Sequence, residues 1–253
     1  MRINRYLARA GAASRRGAER LIEAGRVAVN GETVTRLATT VDPASDVVEL
    51  DGVHITLPDT HTTIIVNKPV DVVVTMSDPQ GRPTIADIVS GVEAPIVPVG
   101  RLDADSEGLI LMTDEGTLAH RVAHPSFELD KVYEVTARGV LLEEERALLE
   151  SGIELDGRET APARVEVVST ARNTTRALVT IHEGRKRQVR RMFEAVGHPV
   201  RNLRRVRVGP LELCDLRPGN WRRLTETELA ALKQAVGLDT APETPCDTDR
   251  PKL

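Results

Sequence analysis

The first 36 residues combine two helical hydrophobic patterns with a hairpin signal. Apolar residues at spacings of three and four predict a first helix that Gly11 ends. They are Ile3, Tyr6, Leu7 and Ala10. Ser14 is placed to cap a second helix that ends at Gly25, and alternating residues around Asn30-Gly31 predict a hairpin. A further strand pair is predicted around Asp51-Gly52, so this region is expected to be a helix pair with a small sheet.

Downstream of residue 62, the pattern changes to short, mostly hairpin-linked strands with a few helices. The strand-like segments are TTIIVNKP, GLILMT, KVYEVTARGV, ARVEVVST and TRALVTIHEG. Val189, Met192 and Phe193 stand at helical spacing and Gly197 follows them, which predicts a helix; another is expected after LRPGNWRRLT. We therefore predict an α+β protein whose central sheet is largely antiparallel and flanked by helices.

The predicted organisation is two domains and a tail. The small domain spans residues 1–57, a linker follows over 58–62, and the larger domain spans 63–236. Residues 237–253 are rich in Pro, Thr and Asp, so they are expected to be disordered. No apolar run reaches the about 18 residues of a membrane helix, and no secretory signal is recognised. Two distant cysteines favour neither a disulfide framework nor a zinc site, so a cytoplasmic location is expected.

The formal net charge of −4 hides two basic regions. Residues 1–36 carry eight Arg and three Glu, and residues 172–223 carry fourteen Arg or Lys against four acids. Their net charges are +5 and +10, which leaves −19 on the rest of the chain. Because arginine makes forked contacts to phosphate, these regions favour a polyanionic partner over simple pairing of basic with acidic faces.

The stretch GRLDADSEGLILMTDEG, residues 100–116, concentrates acids around an apolar run. Its spacing partly matches a calcium-binding EF-hand loop, but its flanks read as strands rather than helices. A solvated turn accounts for Asp105, Ser106 and Glu107. Asp103 directly follows a strand-like run, where a rigid scaffold can hold a carboxylate as a nucleophile or base.

This stretch closely resembles the motif that carries the catalytic aspartate of RsuA/RluB-type pseudouridine synthases, which modify ribosomal RNA. Further motifs of that family are resembled, in the family's order, by VNKPVDVVVTMSDPQGRPT, HPSFELDKVYEV, EGRKRQVRRMFEAVGHPVRNLRRVRVGPL and LRPGNWRRLT. Residues 1–50 resemble the S4 RNA-binding domain that commonly precedes the catalytic domain. The resemblance implies an S4 domain followed by a pseudouridine synthase domain with the fold predicted above.

The resemblance also implies roles for three residues. Asp103 corresponds to the catalytic aspartate, and Arg190 to the basic residue paired with it. Tyr133 corresponds to the tyrosine that stacks on the target base and can assist proton transfer. One position departs from the family, which usually has glycine two residues after the proline of NKP, where this chain has Asp71. A positive φ there suits Asp less well than Gly, although Asp tolerates it better than most residues.

The implied reaction is the isomerisation of a uridine within ribosomal RNA, with large-subunit RNA favoured over small-subunit RNA. Asp103 would start it by attacking the sugar or base or by removing a sugar proton, and the sequence leaves these routes open. No cofactor or metal is expected, because the chain lacks phosphate-loop, dinucleotide-binding and CxxC motifs. His120 and His124 lack the intervening Glu of a zinc-protease helix, so a solvated or capping role is expected for them.

The expected partner is ribosomal RNA or a pre-ribosomal particle, bound by a monomer through the basic regions. The residues expected to contact RNA are Arg2, Arg5, Arg15, Arg16, Arg20, Lys68, Arg82, Arg101, Arg187, Arg204, Arg205 and Arg207. The competing hypothesis is a non-catalytic RNA-binding or ribosome-assembly factor, which would keep the arginines and have no need of Asp103.

Overall fold

A computed structural model describes residues 1–238, which divide into two compact units. The first unit comprises residues 1–123 and 213–223, and the second comprises residues 124–212 and the described residues from 224 onward. The expected disordered tail lies, from residue 239 on, outside the described residues. Within residues 1–238, no helix has the length and apolar character needed to cross a membrane.

The elements are numbered in chain order. The helices in the described part of the chain are α1 (Ile3–Arg9), α2 (Arg15–Glu23), α3 (Ile85–Ile88), α4 (Gly116–Ala123), α5 (Glu143–Ser151), α6 (Gln188–Ala195) and α7 (Glu226–Ala235). The first strands are β1 (Val27–Val29), β2 (Glu32–Val34), β3 (Val48–Leu50), β4 (Val53–Ile55), β5 (Thr63–Lys68), β6 (Val97–Val99) and β7 (Glu107–Thr113). The later strands are β8 (Lys131–Arg138), β9 (Glu154–Leu155), β10 (Arg158–Glu159), β11 (Arg164–Thr170), β12 (Thr174–Ile181), β13 (Val200–Val208), β14 (Leu211–Glu212) and β15 (Trp221–Arg223).

The N-terminal region forms the predicted helix pair and small sheet. Ser14 caps α2, because its side-chain oxygen accepts the Gly17 N–H at 3.1 Å. Asn30 and Gly31 have φ of 52° and 83°, the left-handed pair that a two-residue hairpin loop requires. Strands β1–β4 form an antiparallel sheet in the order β2-β1-β3-β4. A fully buried core joins α1, α2 and this sheet through Ile3, Leu7, Ile22, Val27 and Val48.

The remainder of the first unit is built on β5 and β7, which pair antiparallel with Lys68 opposite Gly108. Every residue of β5 is buried, and the apolar run of β7 is buried from Gly108 onward, as expected for central strands. β6 pairs with β7, and β15 pairs with the other edge of β5. The sequence pattern did not predict β15, since its Trp-Arg-Arg sequence becomes a strand only through pairing with Val66, Ile65 and Ile64.

The second unit carries an antiparallel sheet in the order β11-β12-β8-β13, with β14 paired to β13. The predicted hairpin between β11 and β12 is confirmed, and its turn holds Asn173 at φ 64°. α6 buries Val189, Met192 and Phe193 as their spacing predicted, and Gly197 follows it at φ 84°. His124 has the expected capping role, since it accepts the Ser126 N–H at the short turn Pro125–Phe127. The α+β class with largely antiparallel sheets is thus confirmed.

Candidate active site

Asp103 lies in the loop that connects β6 to β7 in the first unit. The loop begins at Gly100, whose φ of 75° lets the chain turn out of β6, and Leu102 anchors it with 9% exposure. The Ser106 N–H then closes a turn onto the Asp103 carbonyl at 3.1 Å. Asp103 itself is exposed. A carboxylate is therefore presented to solvent from a loop fixed at both ends by buried structure.

Lys68, the last residue of β5, contacts this loop through its side chain. Its side chain is completely buried, and its ammonium donates to the carbonyls of Pro69 and Val72 at 2.8 Å each and of Ala104 at 3.4 Å. Burial lowers the pKa of Lys68 to about 8, although Coulomb attraction to Asp105, Asp71, Asp103 and Glu107 opposes the shift. The expectation that Lys68 faces RNA is wrong in this structure, because its charge is fully used by the carbonyls of the protein.

Asp71 connects the NKP segment to the loop of Asp103. Its backbone has φ 63°, the left-handed geometry considered for this position from the sequence, and its N–H donates to the Ala104 carbonyl at 2.8 Å. The Ala104 carbonyl thus receives two donors from the chain segment that follows β5. Asp71 is exposed.

The surroundings of the acidic stretch do not match a calcium loop. β6 and β7 flank it as strands, whereas an EF-hand needs helices on both sides. Across residues 1–238, no group of three or more His, Cys, Asp or Glu side chains is arranged to hold a metal ion. The solvated-turn interpretation does describe Asp105, which is exposed, but Ser106 beside it is 1% exposed.

Tyr133 and Arg190 lie in the second unit. Tyr133 is on β8, opposite Val179 of β12 and Arg205 of β13, and is 7% exposed. Arg190 is on α6, is 8% exposed, and donates to the Val200 carbonyl at 3.0 Å. Both side chains are therefore mostly buried.

Lys131 at the start of β8 is a residue that the sequence pattern did not single out. Its ammonium donates to the carbonyls of Leu129 and His182 at 3.0 Å each, which fixes the entrance to the strand of Tyr133. Desolvation lowers its pKa, Arg205 lowers it further, and Asp130 opposes the shift. The sequence feature that could have identified it is a lysine at the start of an alternating strand.

The predicted RNA contacts of the N-terminal region are on the surface. Arg2, Arg5, Arg15, Arg16 and Arg20 are all exposed. Arg5 also donates to Thr117 Oγ1 at 3.3 Å. The other four form no ion pair with the residues that the structure describes, so their guanidinium groups face solvent.

The predicted RNA contacts of the later segments divide into exposed and engaged groups. Arg101 and Arg187 are exposed, and Arg207 is partly buried. Arg82 is exposed but donates twice to Asp78, and this lowers the pKa of Asp78 to about 2. Arg204 lies 3.7 Å from Glu134. Arg205 is only 4% exposed, so the expectation that it contacts RNA is wrong here: its position on β13 opposite Tyr133 buries it.

Comparison with known proteins identifies the class. A family model described as RNA pseudouridylate synthase matches residues 62–195, and an S4 domain model matches residues 1–48. The chain is 42% identical over 243 residues to an uncharacterized RNA pseudouridine synthase of Aquifex aeolicus, covering 96% of this chain and 97% of the relative. It is 39% identical over 234 residues to the ribosomal large subunit pseudouridine synthase B of Bacillus subtilis, covering 92% and 95% of the two chains.

A solved structure agrees with the sequence comparison. A crystal structure of a pseudouridylate synthase superimposes with a TM-score of 0.65 at 30% identity, covering 92% of this chain and 99% of the other. The family models and the relatives thus define an RNA-modifying enzyme with an N-terminal S4 domain. The chain belongs to the RNA pseudouridine synthase family, whose members are isomerases.

Proposed function

We propose that this enzyme converts a specific uridine of large-subunit ribosomal RNA to pseudouridine, with the Asp103 carboxylate as the catalytic group. The observation that carries the assignment of Asp103 is its placement: an exposed carboxylate on a loop that Leu102, Lys68 and Asp71 hold rigid. The name of the B. subtilis relative supports the choice of large-subunit RNA.

The reaction is balanced without an external reactant. The N1–C1′ glycosidic bond breaks, the uracil turns, and C5 bonds to C1′; C5 loses a proton and N1 carries one in the product. Asp103 starts the sequence, either as a nucleophile at the sugar or base or as the base that removes a sugar proton. Each of these roles requires the ionised carboxylate at a fixed position, which is what the rigid loop supplies.

Two residues of the second unit complete the proposed machinery. The resemblance described above implies both roles: Tyr133 stacks on the target base, and Arg190 is the basic residue paired with the aspartate.

The RNA must present the target uridine unstacked, because a base inside a helix is out of reach of the carboxylate. The exposed arginines of the S4 domain are proposed to hold the surrounding phosphates. Aromatic residues make up only 2% of the chain, so stacking surfaces are scarce. Binding should then depend steeply on salt concentration, as expected when phosphate contacts dominate.

The test is pseudouridine mapping by carbodiimide-stop sequencing of total ribosomal RNA. Cells with the gene, cells without it, and cells carrying Asp103→Asn are compared, and Asp59→Asn serves as the matched control because Asp59 is exposed on the linker. One stop in large-subunit RNA should be lost in both the deletion and Asp103→Asn, and kept in Asp59→Asn.

Other results would overturn parts of this proposal. A stop lost from small-subunit RNA would correct the substrate. A stop that survives in Asp103→Asn would remove Asp103 from the catalytic role. Unchanged stops in every arm, together with tight binding of ribosomal RNA by the purified enzyme, would favour a binding factor instead.

A further inference from the structure

Arg217 occupies the first position of a tight turn that leads into β15. In the segment Arg217-Pro218-Gly219-Asn220, the Asn220 N–H donates to the Arg217 carbonyl at 3.1 Å. Proline at the second position and a φ of 79° at Gly219 are the features of a type II turn. The backbone of Arg217 is therefore held in a defined conformation, although the residue is exposed.

Asn67, near the end of β5, fastens this turn to the sheet. Asn67 is fully buried, its N–H donates to the Asn220 carbonyl at 2.9 Å, and its carbonyl accepts the Gly219 N–H at 2.8 Å. Its side-chain amide donates to the Leu216 carbonyl at 2.6 Å. Three hydrogen bonds thus hold the residues on both sides of Arg217 against the strand that enters the NKP segment.

The strand register places this turn and the Asp103 loop at the same end of the sheet. β5 lies between β7 and β15, with Lys68 opposite Gly108 and Val66 opposite Trp221. The end of β5 therefore meets the start of β7, which follows the Asp103 loop, and the start of β15, which follows the turn. Neighbouring strands lie about 4.8 Å apart, so the two connections enter strands that are about 10 Å apart.

The guanidinium of Arg217 has no acidic partner in the described part of the chain. Among residues 1–238, no carboxylate oxygen forms an ion pair with it within 4.0 Å, including that of Asp215, which is exposed two positions earlier. Arg101, on the Asp103 loop, is exposed and likewise forms no ion pair in these residues. Two exposed arginines thus stand on connections at one end of the sheet, and a guanidinium binds phosphate through forked hydrogen bonds.

We propose that Arg217 binds the backbone phosphate of a nucleotide that flanks the target uridine, and so holds the RNA strand beside the end of β5. This inference rests on the proposed function, because it takes the Asp103 loop as the place where the uridine binds. Arg217 contributes to substrate binding and takes no part in breaking or forming bonds. The sequence did not single it out, since only the pairing of β15 with β5 brings it to the end of the sheet that carries the Asp103 loop.

The first measurement is the salt dependence of binding to ribosomal RNA. Filter binding compares the wild type with Arg217→Gln, Arg217→Lys and the control Arg223→Gln; Arg223 is an exposed arginine at the other end of β15, opposite Ile64. In Arg217→Gln, affinity should fall about threefold to tenfold and the slope of log affinity against log salt should become shallower by about 0.7 to 1. Arg217→Lys should keep most of the slope because it keeps the charge, and Arg223→Gln should keep both slope and affinity.

The second measurement locates the phosphate. RNA fragments around the mapped uridine each carry one uncharged methylphosphonate linkage within three nucleotides of the target, and matched fragments carry the ordinary phosphate. They are bound by Asp103→Asn, which leaves the uridine unconverted, with and without Arg217→Gln. One flanking methylphosphonate should weaken binding about threefold to tenfold when Arg217 is present and should have no further effect when it is replaced.

The third measurement separates binding from catalysis. In single-turnover reactions, Arg217→Gln should raise the enzyme concentration that gives half the maximal rate by the same factor as the loss of affinity. The rate at saturating enzyme should stay within about twofold of the wild type, as expected when only uniform binding is removed. The midpoint of urea unfolding should be unchanged, since the turn is held through backbone groups and Asn67.

The outcomes separate this inference from the proposed function. Equal slope changes in Arg217→Gln and Arg223→Gln, or additive effects of every methylphosphonate with Arg217→Gln, would overturn the role of Arg217. A lower rate at saturating enzyme with unchanged affinity would overturn it as well. If Asp103→Asn still forms pseudouridine while one linkage is coupled to Arg217, the proposed role of Asp103 fails and the phosphate contact stands.

Discussion

The two basic regions of the chain look alike in the sequence and are used differently in the structure. In residues 1–36, Arg15, Arg16 and Arg20 lie on α2 and are exposed. In residues 172–223, several arginines are engaged with the protein: Arg185 donates to the carbonyls of Arg158 and Glu159, and Arg191 forms a forked pair with Asp156. These arginines of the first region are exposed, whereas several arginines of the second region bind other parts of the protein.

The lesson is that charge density indicates a polyanion partner without indicating which residues contact it. Arg190 and Arg205 are among the least exposed charged residues of the described chain, yet they lie in its most basic segment. A guanidinium can satisfy backbone carbonyls and carboxylates within the fold as well as phosphates outside it. The following predictions test the division, beginning with the largest effect.

Replacing the buried arginine of the second region should have the strongest consequence. Arg190→Met should lower single-turnover activity by about 100-fold or more if Arg190 has the proposed catalytic role, because its positive charge is lost. It should also lower the free energy of unfolding by about 1–3 kcal/mol, since the Val200 carbonyl loses its donor. Quench-flow kinetics and urea unfolding measure the two effects. The control is Arg201→Met, because Arg201 is an exposed arginine of the same region. Equal losses of activity and stability in both variants would contradict the distinction between buried and exposed arginines.

The buried cation of the first unit should reveal itself in the pH dependence of stability. The pKa of Lys68 is about 8 in the fold against an ordinary 10.5, so between these values the unfolded chain binds one proton more than the folded chain. The free energy of unfolding should therefore gain up to about 3 kcal/mol from this group as pH rises through that window. Urea unfolding at pH 7.5 to 10.5 should show the gain in the wild type and not in Lys68→Met. If the free energy of unfolding changed with pH in the same way in the wild type and in Lys68→Met, Lys68 would not be desolvated in the folded protein.

Removing the exposed arginines should affect RNA and leave the fold intact. In the triple variant Arg15→Gln, Arg16→Gln, Arg20→Gln, affinity for ribosomal RNA should fall by about tenfold or more at moderate salt. The slope of log affinity against log salt should become shallower by about two to three, because binding through fewer phosphate contacts releases fewer counterions. Filter binding at several salt concentrations measures both. Arg26→Gln is the control, since Arg26 is already paired with Asp51. If Arg26→Gln changed the salt slope as much as each arginine of the triple variant does on average, ion pairing within the protein would not decide which arginines contact RNA.

Freeing a paired arginine should produce the smallest effect, in the opposite direction. Asp78→Asn removes the carboxylate that engages Arg82, so Arg82 gains freedom to meet phosphate. The salt slope should steepen by up to about one, with a modest gain in affinity. Asp59→Asn controls for the loss of one negative charge. A weaker affinity in Asp78→Asn would indicate that the Asp78–Arg82 turn shapes the binding surface instead.

Short-range features were predictable because neighbouring residues decide them. The Asn30-Gly31 hairpin and the turn at Gly197 after α6 depend on left-handed backbone, and the Ser14 cap depends on one local hydrogen bond. The motif order also located Asp103, because family motifs are contiguous segments of sequence. The pattern missed β15, whose strand partner is β5, more than 150 positions earlier in the chain.

The sequence by itself determined the fold class, the family, the loop that bears Asp103 and the unusual residue at position 71. Only the tertiary structure decided which cations are buried. From the sequence, Lys68 is expected to be a surface lysine in a loop motif. In the fold, it is buried and donates to the Ala104 carbonyl, 36 positions away in the chain. Arg204 and Arg205 are adjacent in sequence, and the alternation of β13 against β8 leaves one partly exposed and buries the other opposite Tyr133. Burial is set by the neighbours that folding brings together, and for charged residues those neighbours are distant in the chain.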